Sequence, residues 1–76
     1  MEEITKKIME MMAELQPYAE VDETTDLLGE DVLDSVSVLA LVQELEETFD
    51  IEIMAEEITA HNFKDVRSIA SMIKKK

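Results

Sequence analysis

Three places in this chain carry side chains whose types and spacing could do chemistry. The first is Asp34-Ser35 in "VLDSVSVLALVQELEETFDIEI", where an acid and a hydroxyl stand directly ahead of an apolar helical pattern. Both residue types are preferred helix caps, because their side-chain oxygens satisfy amides that have no partner within the helix. A serine at a helix start also suits a phosphodiester, since the unpaired amides and the positive end of the dipole stabilise an anion. The second is His61, the only histidine in a chain without cysteine. A Ser-His-Asp arrangement could be built only around it, and a lone loop histidine is usually solvated. A bundle of this size is expected to leave hardly any room for a pocket of several hundred cubic ångströms. No catalytic residue is therefore assigned, and an enzyme is not expected. The third is "DETTDLLGEDVL", which superficially resembles a calcium loop. Counted from Asp22, its sixth position is Leu27 instead of glycine and its twelfth is Leu33 instead of glutamate, so no metal is assigned.

The elements that must position these groups follow from apolar spacing. Ile4, Ile8, Met11, Met12 and Leu15 share one helical face, and Pro17 ends that helix by its ring clash and missing amide. Met9, Met11 and Met12 crowd onto this helix, where filling gaps in a core explains them better than a peptide groove does. Tyr18 to Leu33 shows no sustained period and holds the only glycine, Gly29. It is expected to be a long ordered loop, pinned by Val21, Leu27, Leu28 and Leu33. A loop longer than about 12 residues in a compact domain is more often functional than not. A second helix is expected from about Asp34 to Phe49, with Val38, Leu41, Val42, Leu45 and Phe49 on its core stripe. Val36, Ala40, Gln43 and Glu47 then project outward with Leu39 on the flank, a face that is apolar at its start and acidic at its end. Ala55 to Thr59 is expected to form one short turn. Asp65 is expected to cap a last helix carrying Val66, Ile69, Ala70 and Ile73, with Lys74 to Lys76 at its negative end. No segment alternates as a half-buried strand would, and no internal repeat is visible. The expected fold is all-α: a bundle of three main helices plus one short helical turn, with a long ordered loop between helices one and two.

Seventy-six residues imply a single domain spanning 1–76, since a chain this short buries only about 60% of its unfolded surface. Without cysteine the fold rests on packing alone. The start "MEEITKKIMEMM" reads as neither a secretory leader nor a membrane span, and a cytoplasmic location is expected. Nineteen acidic against seven basic residues give a net charge of -12. That charge repels nucleic acid and anionic membranes and favours partners presenting Lys and Arg. Five of the seven basic residues fall in the last thirteen positions, so the acidic field belongs to the front of the sequence.

Taken together, "DLLGEDVLDSVSVLALVQELEETFDIEI" and the tail "ITAHNFKDVRSIASMI" resemble an acyl carrier protein over nearly the whole chain. The resemblance implies that a phosphopantetheinyl transferase moves 4'-phosphopantetheine from coenzyme A onto Ser35, and that the arm's thiol then carries an acyl group as a thioester. It implies that Asp34 helps dock the transferase and its metal. It also implies that Val36, Leu39, Glu44, Glu46 and Glu47 form the helix read by basic docking patches on synthase enzymes. The expected partners are the transferase, an acyl- or aminoacyl-loading ligase or transferase, and those synthases. No nucleic acid and no membrane insertion are expected, and the chain is expected to act as a monomer. A cavity lined by residues such as Val42, Leu45, Ile58 and Ile69 could shelter an acyl chain.

The chain departs from the pattern of fatty-acid carriers at three points. Val36 stands where leucine is usual, Ser37 and Ala40 stand where acids are common, and "GEDVLDS" sets glycine farther from serine than "GxDS" does. A carrier for fatty-acid or polyketide synthesis and a stand-alone aminoacyl, D-alanyl or peptidyl carrier loaded by an adenylating ligase both fit. An unmodified acidic adaptor that binds partners through the outward face of helix two is the alternative from another class.

Overall fold

The computed structural model describes residues 2–29 and 32–76. Residues 30 and 31 of the expected long loop lie outside the described residues. Three helices form: α1 over Glu2–Leu15, α2 over Ser35–Phe49 and α3 over Val66–Lys74, with a 3₁₀ turn at Ala55–Glu57 between the last two. No strand occurs among the described residues, so the all-α expectation, including the short turn, holds.

Each helix starts or stops where local chemistry requires it. The last α1-type bond runs from Gln16 N to Met12 O at 2.8 Å, and Pro17 follows with no amide to continue the ladder. Asp34 precedes α2 in an extended conformation and accepts the Ser37 amide at 2.8 Å. At the other end Asp50 adopts a left-handed conformation with φ 52° and donates its amide to Glu46 O. Aspartate is among the few residues that tolerate this geometry. Asp65 caps α3 and accepts the Ser68 amide at 2.8 Å, while Lys74 lies in the last turn, where its charge suits the dipole.

The core is one cluster. Ile8, Met11 and Met12 enter from α1, Leu41, Val42 and Leu45 from α2, and Val66, Ile69, Ala70, Met72 and Ile73 from α3. The fully buried Phe63, Ile8, Leu41 and Leu45 each stabilise the fold by about 1.5–3 kcal/mol relative to leaving them in water. Val38 and Phe49, at the two ends of the α2 stripe, are half-buried, and Lys7 Nζ sits 5.7 Å from the centre of the Phe49 ring.

Helix α1 packs against both α2 and α3, whereas α2 and α3 make no close helix-to-helix contact. Loop side chains complete the core instead: Leu27 and Leu33 from the first loop, Ile53 and Phe63 from the second. The first loop is accordingly well tied. Leu27 N donates to Lys64 O at 2.8 Å, Leu33 N to Leu27 O at 3.0 Å, and Arg67 N to Glu23 O at 3.2 Å. Asp22 Oδ1 gathers Thr24 N, Thr24 Oγ1 and Thr25 Oγ1 at 2.8–3.1 Å. The Gly29 amide donates to Asp26 Oδ1 at 2.9 Å, and a Cβ there would meet only the Asp26 carboxylate, at 2.3 Å from Oδ2, so a larger residue would displace that exposed side chain and its bond. Of the four expected pins, Leu27 and Leu33 are buried and Val21 and Leu28 half-buried.

Candidate functional site

Ser35 is the first residue of α2, and its side chain is exposed. The first intrahelical bond runs from Val38 N to Asp34 O at 2.9 Å, so the amides of residues 35, 36 and 37 have no partner inside the helix. Asp34 takes the third of these. The Ser37 amide, and then the Ser37 hydroxyl, hold the Asp34 carboxyl below the usual aspartate range. The helix start therefore presents an ionised carboxylate and a free-standing hydroxyl side by side, with the positive end of the helix dipole behind them.

Ser35 and Asp34 lie on the rim of a cavity of about 570 Å³. Its walls are mostly apolar: Leu28 and Leu33 from the first loop, Val38 and Leu39 from α2, and Ile58 and Phe63 from the segment before α3. A space of this size corrects the expectation that so short a chain leaves hardly any room for a pocket. It lies between the start of α2 and the two loops, with no α3 residue among its walls. The expected lining is corrected accordingly. Of Val42, Leu45, Ile58 and Ile69, only Ile58 borders the cavity, while Leu45 and Ile69 are fully buried within the core.

The residues expected to face partners are spread around α2 at 100° per residue. Val36 and Glu47, eleven positions apart, share the outward line and are both exposed, Val36 at 76%. Leu39, 58% exposed, lies on the flank that meets the cavity. Glu44 is exposed on the opposite flank, beside Lys7, Glu10 and Glu14 of α1. Glu46 is half-buried, and its Oε2 accepts the Ile53 amide at 2.9 Å across the end of the helix. Its charge is thus fixed in place by the loop that comes after α2. Among large apolar side chains, Met54 at 49% and Tyr18 at 99% are also exposed.

His61 is exposed and lines a separate, more polar cleft of about 340 Å³ with Ser68, Ser71 and Lys75. Glu57 borders the same cleft, where its Oε1 pairs with Lys76 Nζ and accepts the Met54 amide at 3.0 Å. The Lys76 contact, followed by the Met54 amide, holds the Glu57 carboxyl below its usual range. Among the described residues no group of three or more His, Cys, Asp or Glu side chains could hold a metal ion, and no helix is long and apolar enough to cross a membrane.

An exposed hydroxyl at a helix start, unpaired amides around it and an apolar cavity at its side fit the tethering of a phosphate-linked arm. Residues 6–73 match the family model described as the phosphopantetheine attachment site. The match covers most of the chain, and the protein belongs to this family of phosphopantetheine-binding carriers, as acyl carrier proteins do. The family's domain is the site at which 4'-phosphopantetheine is covalently attached. Such domains are in general non-catalytic and interact with a phosphopantetheinyl transferase and with partner enzymes. A search of curated proteins finds no match to the chain.

Proposed function

We propose that the protein is an acyl carrier whose 4'-phosphopantetheine arm is joined to Ser35 Oγ, and that it presents acyl intermediates to enzymes of fatty-acid or polyketide type. The observation that carries this is the exposed Ser35 hydroxyl on the rim of the 570 Å³ apolar cavity, at the only serine that opens a helix among the described residues. Transfer from coenzyme A forms the Ser35 Oγ–phosphorus bond, breaks the diphosphate linkage, and releases adenosine 3',5'-bisphosphate, with the hydroxyl proton passing to solvent or to a base of the transferase. Once attached, the arm supplies a terminal thiol that holds the acyl group as a thioester.

The chain's own residues do the rest. The α2 amides stabilise the phosphate charge next to them. Asp34 offers an ionised carboxylate to the transferase and its metal. Val36, Leu39, Glu44, Glu46 and Glu47 form the face that partners with basic patches would read. A net charge of -12 favours fast, reversible docking to several such enzymes. A second reading is a stand-alone aminoacyl, D-alanyl or peptidyl carrier loaded by an adenylating ligase. It is favoured by the first turn of α2, which carries no acid and exposes Val36.

Intact-mass analysis after incubation with coenzyme A and a broad-specificity phosphopantetheinyl transferase tests the attachment. The expected result is a gain of one phosphopantetheinyl group in the wild type and none in Ser35→Ala. An unmodified wild type would refute the carrier assignment at Ser35 and leave the acidic adaptor. Comparing acyltransferases with adenylating ligases on the loaded protein then separates the two carrier readings.

A further inference from the structure

Ser37 stands where an acid is common in fatty-acid carriers, and here the serine joins two elements without adding a charge beside Asp34. Its Oγ accepts a hydrogen bond from Gln16 Nε2 at 3.1 Å, between half-buried groups twenty-one residues apart. Its amide donates to Asp34 Oδ1 at 2.8 Å. Ser37 is therefore held on both sides, its hydroxyl by Gln16 and its backbone amide by the Asp34 carboxylate. A carboxylate at position 37 would accept from Gln16 too, but it would face Asp34 with a like charge. Gln16 is itself well fixed. Its amide donates to Met12 O at 2.8 Å, its carbonyl accepts from Ala19 N at 3.1 Å, and Pro17 limits the backbone between them.

We propose that Gln16 and Ser37 are positioning residues for the modification of Ser35. The relay runs from the Gln16 side-chain amide to the Ser37 hydroxyl, and from the Ser37 backbone amide to the Asp34 carboxylate, and it ties the first turn of α2 to the end of α1. It thereby sets the direction of the carboxylate that stands one residue before the modified hydroxyl. The inference rests on Ser35 being the attachment residue. Neither side chain touches the transferred group in this scheme, and each acts only through Asp34.

The test is transferase kinetics on the whole chain, followed by intact mass at a temperature where all variants are folded. Gln16→Ala and Ser37→Ala are each expected to lower kcat/KM for loading about 3–10-fold, the size of one lost hydrogen bond. The double variant should lose little more than either single one, because both break the same relay. Ser37→Thr keeps the hydroxyl and is expected to load within about twofold of wild type. A general loss of packing would not be rescued by threonine. Unchanged loading in both alanine variants, losses that multiply in the double variant, or a threonine variant as slow as alanine would each overturn the relay. Should the wild type itself not be loaded, the Ser35 assignment fails separately. The relay is then judged on the Ser37 amide NMR resonance of the unmodified protein, which Gln16→Ala shifts if the relay exists and leaves in place if it does not.

Discussion

Asp34 and Asp65 cap their helices in the same way. Both have extended backbones, and both accept the amide of a serine three residues on, Ser37 or Ser68, at 2.8 Å. The two caps differ in the residue that comes next. After Asp65 comes Val66, fully buried, and the start of α3 is roofed by the first loop through Arg67 N to Glu23 O and Leu27 N to Lys64 O. After Asp34 comes Ser35, exposed, beside a 570 Å³ cavity. One cap closes a helix into the core and the other leaves a helix start open to visitors. A cap alone is therefore no evidence of a site; the uncovered hydroxyl and the space beside it are.

The strongest way to break this comparison is to move the serine. Ser35→Ala is expected to abolish phosphopantetheinylation, and adding Val66→Ser in that background should not restore it. Val66→Ser places a hydroxyl in a fully buried apolar site, which costs roughly 2–4 kcal/mol by lost packing and burial of a polar group. Urea unfolding measures that cost and intact mass measures the modification. A modified Val66→Ser/Ser35→Ala protein would show that the cap sequence suffices after all.

A subtler contrast comes from removing the caps themselves. Asp65→Ala should lower stability by about 1 kcal/mol and leave the loading rate unchanged, because the residue after this cap, Val66, is sealed in the core and offers nothing to modify. Asp34→Ala should cost less in urea but slow loading roughly tenfold, because it removes a charge that the partner meets. Equal loading by the two variants would erase the functional half of the distinction.

The two caps also mark how far the sequence could be read. Asp34 and Asp65 each stand before an apolar stripe of helical period, and both caps form where that pattern places them. The break after α1 follows from Pro17, and the turn at Ala55–Glu57 falls within the expected segment. The lining of the cavity was not legible. A helical wheel gives the inward face of α2, but which of its residues border empty space depends on where loop side chains such as Leu28, Leu33, Ile58 and Phe63 settle. The bond that the Ile53 amide donates to Glu46 was hidden for a related reason. It crosses the left-handed residue Asp50, where the chain leaves the helix and its periodicity stops carrying information.

Glu46 and Glu47 extend the contrast between open and tied groups to the far end of α2. Glu47→Lys changes an exposed charge on the same line as Val36, and it should slow association with basic partners about two- to fivefold at low salt, with the effect shrinking as salt rises. Glu46→Lys should slow association too, but it should also lower the urea midpoint because the Ile53 amide loses its acceptor. Stopped-flow association at two ionic strengths, read beside urea unfolding, tells the two apart. Association rates for Glu47→Lys that match wild type at low salt would remove this face from the docking surface.

The smallest expected effect lies in the charge of the Asp34 cap. Its carboxyl titrates below the ordinary aspartate range because the Ser37 amide and then the Ser37 hydroxyl bond the ionised form. A folded-state value below the unfolded one means that the stabilisation is fully present above the unfolded value, about pH 4, and is lost as pH falls through the folded one. An asparagine in this position would cap about as well as a neutral acid does, so Asp34→Asn isolates the charge. The wild type should be more stable than Asp34→Asn at pH 7, and the gap should narrow below about pH 4 and vanish once the wild-type carboxyl is protonated. The difference is small because the group is exposed to water and salt. Relief of repulsion in a chain of net charge -12 opposes it at low ionic strength, so the urea midpoints are best compared in moderate salt. A gap that stayed constant from pH 7 to pH 2 would mean that the carboxylate's charge adds nothing to the cap, leaving docking as its only role.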